Sequence, residues 1–200
     1  MVKSLSRVTK TALFITGFGL IALNGYCNGT ITGVIETDLA KNKKDVVVYL
    51  KNVGVPVKPR TVSVDQHHML FNPRVITVPV GSTVEFTNHD KIYHNVFSIS
   101  DPKKFSLDTY AHGYSKKVTF DRPGAVNLLC HVHAEMSGWV IVTQNQYATV
   151  SEHDGEFKIQ DVPAGTYEVG VWSETQKPVG KITVTVKDGL TTETTIKLGN

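Results

Sequence analysis

The chain has 200 residues, 40% of them apolar, with 16 glycines and 8 prolines, enough for one or two compact domains with cores of their own. Taking Lys3, Arg7 and Lys10 from the 21 basic residues leaves 18, equal to the 18 acidic ones. The chain beyond its first segment is therefore near neutral, and its charge gives no footing for nucleic acid.

Residues 1–25 read as an export signal. The three basic residues precede an apolar run over 12–23, too short to span a bilayer comfortably, and Asn24 and Gly25 follow. The expectation is a periplasmic or otherwise secreted protein, touching a membrane only through this segment if it stays uncleaved. Tyr26 stands where a small residue would precede a lipidated cysteine, which argues against lipidation at Cys27.

Beyond this signal no long stretch carries a 3.6-residue period, and abundant Val and Thr predict an all-β chain. Residues 29–36 alternate as a strand, a Lys-rich loop covers 38–45, and 46–50 form a second strand. Pro56 and Pro59 mark 53–60 as a linker. Further strands are expected near 61–64, 75–78, 83–87, 95–99, 116–120, 125–129 and 138–143. Gly81-Ser82 and Arg122-Pro123-Gly124 supply turns. Pro73, lacking an N–H, is kept out of a central strand. The pattern then begins again: strands near 147–150 and 156–159 flank Asp154-Gly155, a hairpin signal. Strands near 166–172, 181–186 and 192–198 finish the chain.

The chemistry concentrates in one loop. Cys130, His133 and Met136 lie three residues apart, between an apolar run and an alternating one, and His94 lies upstream, just ahead of a Val-Phe pair. Thiolate, imidazole and thioether together are the ligand set that copper selects. Singly each has a bland reading: a lone Cys is most often a buried small hydrophobe and a lone Met a gap-filler. The combination is what points to a metal. His131 should face away from any such site, because neighbours on an extended segment point opposite ways. His89 and His112 read as solvated loop residues, with His112 near the rim, and Glu135 as exposed.

Gly81-Ser82-Thr83-Val84-Glu85-Phe86-Thr87-Asn88, then His94-Asn95-Val96, Pro123-Gly124 and Cys130-x-x-His133-x-x-Met136 together resemble a cupredoxin over roughly residues 61–143. The ligand loop is the short one of amicyanin; plastocyanin-type loops are longer. The resemblance implies a Greek-key β-sandwich holding one type 1 copper ion by His94, Cys130 and His133, with Met136 axial. It implies that Asn95 ties the two ligand loops together. It also implies that electrons leave through His133, at an apolar surface to which Ala134 and Pro73 contribute. The expected role is a one-electron carrier working by outer-sphere transfer with a redox protein, such as a c-type cytochrome or a periplasmic oxidoreductase. With Cys130 committed to copper, no disulfide is expected.

A lone Cys in this region cannot make a binuclear purple centre. Leu129 stands where multicopper oxidases and copper nitrite reductases carry a His. With four ligands closing the site and no nucleophile–base pair in view, an enzyme is not expected. The alternatives are a copper storage or delivery protein, or a non-catalytic interaction module.

A second resemblance covers the remainder. Asp154-Gly155-Glu156-Phe157-x-Ile159-x-Asp161-Val162-Pro163-x-Gly165-x-Tyr167 resembles a carboxypeptidase regulatory-like, transthyretin-type β-sandwich module. Residues 29–51 look like the opening of such a module. The expected organisation is a signal over 1–25, a first half-module over 29–57, the cupredoxin over 61–143 and the second half-module over 147–200, so that the cupredoxin is inserted into the second sandwich.

Overall fold

The computed structural model describes residues 28–199; the segment read as an export signal and Cys27 lie outside them. Strands occupy Gly29–Glu36 (β1), Val47–Leu50 (β2), Thr61–His67 (β3), Leu70–Asn72 (β4), Val75–Pro79 (β5), Ser82–Asn88 (β6), Phe97–Ser98 (β7), Phe105–Ser106 (β8) and Ser115–Phe120 (β9). They continue through Gly124–Leu129 (β10), Ser137–Thr143 (β11), Ala148–Val150 (β12), Glu156–Val162 (β13), Gly165–Trp172 (β14), Lys177–Pro178 (β15), Ile182–Val186 (β16) and Thr191–Gly199 (β17). The chain is all-β. A 3-10 turn at Ala40–Asn42 is the one helical element among the described residues, and none of these is in a helix long and apolar enough to cross a membrane.

Four sheets pack as two sandwiches. In the first, the sheet β5-β11-β10-β7-β8 faces β4-β3-β6-β9. Alternation decides what each strand buries. In β6, Ser82, Val84, Phe86 and Asn88 point inward and the residues between them point out. In β10 the same parity buries Val126 and Leu128 and, one step past the strand, Cys130. The enclosed core of Val64, Val84, Phe86, Phe120, Leu128 and Val140 excludes solvent completely, each side chain contributing about 1.5–3 kcal/mol.

In the second sandwich, β13-β1-β17-β15 faces β12-β2-β14-β16 around Ile31, Ile35, Val48, Leu50, Phe157 and Ile196. The first strand sits inside a sheet of late ones: β1 pairs antiparallel with β13 and parallel with β17. Likewise β2 lies between β12 and β14, antiparallel to both. The Leu50 amide donates to the Tyr147 carbonyl at 2.9 Å, so the chain leaves β2 and returns to β12 at adjacent points. A small apolar cluster joins the sandwiches, with Val47 against Val75 and Ile141 and the rings of Trp139 and Trp172 at 5.1 Å. Arg74 adds ion pairs to Glu174 and to Asp45.

Two local expectations change. Asp154-Gly155 makes a turn, the Gly155 amide donating to Glu152 O at 3.0 Å, but no hairpin: β12 and β13 lie in opposite sheets. A dipeptide fixes a reversal and carries no information about which sheet the next strand joins. Strands β4, β8 and β15 are only two or three residues long, too short to show alternation. Pro73 also lines the groove between the sandwiches, with Lys44, Asp45 and Val150.

Candidate metal centre

The inward parity of β10 brings the Cys130 thiol into the end of the core, 5% exposed. Across from it, Leu129 pairs with Phe97 of β7, and this pairing draws the preceding His94-Asn95-Val96 into the same end, where all three are buried. His94 is locked by its backbone: its N–H donates to Tyr110 O at 3.2 Å and its carbonyl accepts from Tyr110 N at 2.8 Å. Asn88 folds the loop before it. The Asn88 amide nitrogen donates to Ile92 O and Tyr110 O, both at 2.9 Å, and its side-chain oxygen accepts the Asp90 N–H at 2.9 Å, an Asx turn.

Asp90 then decides which nitrogen of His94 is free. Its Oδ2 accepts from His94 Nε2 at 2.9 Å. The ring proton thus sits on Nε2 and the Nδ1 lone pair faces inward, the arrangement in which a carboxylate orients a metal-binding imidazole. The same carboxylate accepts the N–H groups of His68 at 2.7 Å and Met69 at 2.8 Å. Those two residues have φ of 55° and 57° and form the turn between β3 and β4. Burial works to raise the Asp90 carboxyl, but the Met69 and His68 amides and the His94 ring outweigh it and hold it below the ordinary carboxylate value.

The donor atoms converge. His133 Nδ1 lies 3.1 Å from His94 Nδ1, and Cys130 Sγ lies 3.9 Å from His94 Nδ1; all three atoms fall within 4.8 Å of one another. Two nitrogens each about 2.0–2.1 Å from an ion and separated by about 100° would stand about 3.1 Å apart, and a sulfur about 2.3 Å away completes a trigonal set at an angle of about 125°. The residues present therefore fit a soft-to-borderline metal ion. The inward lone pair of His94 faces another imidazole nitrogen and a thiol, a donor set that suits such an ion.

Met136 is fully buried in the same core cluster as Cys130, and its N–H donates to His133 O at 3.1 Å, closing the loop. Asn95 Oδ1 accepts the His131 N–H at 2.8 Å and lies 3.5 Å from Cys130 Sγ, joining the two loops. The His131 ring is exposed and stacks flat on Phe97, with centroids 3.7 Å apart and planes 3° from parallel. His133 is half-buried, flanked by exposed Val132, Ala134 and Glu135. His89 and His112 are exposed and lie outside the three-residue cluster.

Asp90, Asn88 and Tyr110 were not singled out from the sequence. The Asn-x-Asp pair six and four residues ahead of His94 was a readable signal for the first two. Nothing local announces Tyr110, which acts through its backbone. Burial pushes its phenol well above the usual value, and it donates to Phe86 O at 3.1 Å while Gln66 donates to it.

Comparison with known proteins bears on both sandwiches. Residues 59–143 match the model of the copper binding proteins of the plastocyanin/azurin family, and residues 122–194 match that of polysaccharide lyase family 4, domain II. The methylamine utilization protein MauL of Methylorubrum extorquens is 26% identical over 101 residues, covering 50% of this chain and 89% of that protein. Among solved structures, an amicyanin variant in its oxidized state is 24% identical, covering 42% of this chain and 82% of that one, with a TM-score of 0.40. The purple cupredoxin of Nitrosopumilus maritimus is 24% identical over 41% and 99% of the two chains, with a TM-score of 0.38. The copper-containing nitrite reductase of Thermus scotoductus is 25% identical over 56% of this chain, which spans only 28% of the reductase, with a TM-score of 0.41. The likeness to the copper binding proteins of the plastocyanin/azurin family is carried by residues 59–143.

Proposed function

We propose that this chain is a type 1 copper protein that carries one electron at a time by outer-sphere transfer, in the periplasm or another secreted setting. The observation that carries the reading is the convergence of His94 Nδ1, His133 Nδ1 and Cys130 Sγ at one buried point. In this reading His94, Cys130 and His133 hold a single copper ion and Met136 is its axial donor. When bound, copper supplies the change between Cu(II) and Cu(I).

The protein's part is to hold still. Asp90 fixes the His94 tautomer, Asn95 holds the Cys130 loop against the His94 loop, and the sheets fix both loops whether or not metal is present. Little then has to move when the charge changes, which keeps transfer fast. His133 is the exit: it is half-buried between exposed Val132 and Ala134, so an apolar partner surface can approach its ring edge. The partner in this reading is a redox protein such as a c-type cytochrome or a periplasmic oxidoreductase. A near-neutral surface favours a brief, weakly steered encounter.

No enzymatic step is assigned. Leu129 offers no imidazole bridge from Cys130 to a second copper. We read residues 29–57 and 147–200 as one discontinuous sandwich that carries the copper domain as an insert over 61–143. Its resemblance to a carboxypeptidase regulatory-like module supports a supporting, non-catalytic part.

The visible spectrum of the copper-loaded, secreted protein tests the reading. An intense blue absorption, bleached and restored by one-electron reduction and oxidation, is expected. A colourless protein that binds only Cu(I) and hands it to an acceptor would make it a storage or delivery protein instead.

A further inference from the structure

All but one (His153) of the eight histidines lie in the strand ends and loops at the metal end of the copper domain. Five provide no donor atom to the buried cluster, and three of these, His67, His89 and His112, lie at or next to the ends of adjacent strands in the order β3, β6, β9. In the parallel β3–β6 register Gln66 stands opposite Asn88, and the His89 amide donates to Gln66 O at 3.0 Å. His67 and His89 are therefore neighbours one step beyond. The Gly113 amide donates to Asn88 O at 2.8 Å, which brings His112 alongside on the other flank.

Parity puts this row on the outer face. Gln66 and Asn88 point into the core, so Asp65, His67, Thr87 and His89 point away from it. His89 is oriented there: its Nδ1 lies 2.7 Å from Asp65 Oδ1, and Asp65 Oδ1 is itself held by the Thr87 hydroxyl at 2.9 Å. The other ring nitrogen of His89 is left for solvent, with its side chain 57% exposed. The His112 ring stands 6.3 Å from that of His89, centroid to centroid, turned by 70°.

Two imidazoles on one ion place their centroids about 4.5 to 6 Å apart, given metal–nitrogen distances of about 2.0–2.1 Å. A small rotation of two exposed side chains closes the remainder. A carboxylate behind a histidine is the support that metal-binding histidines use, and imidazole suits copper and zinc alike.

We propose that His89 and His112, with Asp65 as the positioning residue behind His89, form a second, solvent-facing and exchangeable site for a divalent ion of the zinc–copper class. The site is separate from the buried cluster and does not depend on it. It holds an ion on the rim next to Asp90, without joining the electron-transfer ligands.

The test is a calorimetric titration of the copper-loaded, secreted protein with zinc chloride. One zinc per chain is expected, removable by a chelator that leaves the blue absorption intact. His112→Ala should weaken zinc binding at least about tenfold with the blue absorption unchanged, and Asp65→Asn by about 10- to 100-fold. In Cys130→Ser the outer zinc should persist, and adding His112→Ala should remove it. A wild type that takes up no zinc, or a His112→Ala variant that binds it as tightly, would overturn the proposal. A colourless wild type would sink the carrier reading and leave the His112 comparison standing.

Discussion

The two sandwiches are built alike, each from two sheets around a Val-rich core, filled out by Phe in the first and by Ile in the second, and they differ in what polar groups they bury. In the second sandwich buried polar side chains close backbone gaps. Asn145 donates to Leu50 O at 2.8 Å, Ser151 donates to Lys43 O at 2.7 Å, and Ser151 Oγ accepts from Val46 N at 3.0 Å. Each donor has its acceptor. At the metal end of the first sandwich, Asn88 and Asn95 are matched in the same way, but the Nδ1 atoms of His94 and His133 face each other beside a thiol. The contrast separates polar burial that closes backbone gaps from polar burial that gathers donor atoms at one point.

Deletion tests that contrast hardest. Removing residues 150–200 takes away β13 to β17 and strips β1 and β2 of most partners, leaving exposed edges. Insoluble protein is expected; a fully stable, soluble truncation would end the discontinuous reading. Next, Cys130→Ser should abolish the blue absorption and most copper affinity. Copper content unchanged in that variant would remove Cys130 from the ligand set. Third, Ile196→Ala, deep in the second core, should cost about 2–5 kcal/mol in chemical denaturation while the absorption maximum stays put. A shifted maximum would mean that the two cores are not independent. Met136→Leu should keep the metal and raise the reduction potential, because an ion that loses a donor and gains an apolar neighbour disfavours the more highly charged Cu(II); voltammetry reads the shift, and a lower potential would contradict an axial role.

The smallest effect is a pH dependence at the second sandwich. Hydrogen bonds from Lys51 and Lys181 hold Glu168 down at about 2. A carboxyl lowered on folding stabilises the fold above its ordinary value near 4.5, and that contribution drains away as pH falls from there toward 2. Glu168→Gln should flatten this part of the acid denaturation profile. A profile as steep as the wild type would assign the slope to other carboxylates.

Much of this was legible in the chain because alternation writes burial directly. Ser82 to Asn88 and Gly124 to Leu129 show it, and the parity of the second stretch carries Cys130 inward. Of the four residues singled out as ligands, His94, Cys130 and His133 converge, and Met136 is buried in the same core. Asp90 and Tyr110 escaped because they act through a loop closed on itself and a two-residue bridge, neither of which has a period. The Asp154-Gly155 turn misled for the opposite reason, a strong local signal whose sheet assignment is set 120 residues earlier by β1.

The adjacency of Leu50 and Tyr147 bears on the order in which the molecule can assemble. Every strand of the copper domain lies within one continuous segment, so that domain can close while the chain is still being made. Strand β1 must wait for β17, more than 150 residues later. Once the middle segment has folded, its ends lie side by side, and the entropic cost of bringing the early strands to the late ones shrinks from that of a long flexible loop to that of a short one. A middle segment that folds first would thus act as a clamp for the strands on either side of it.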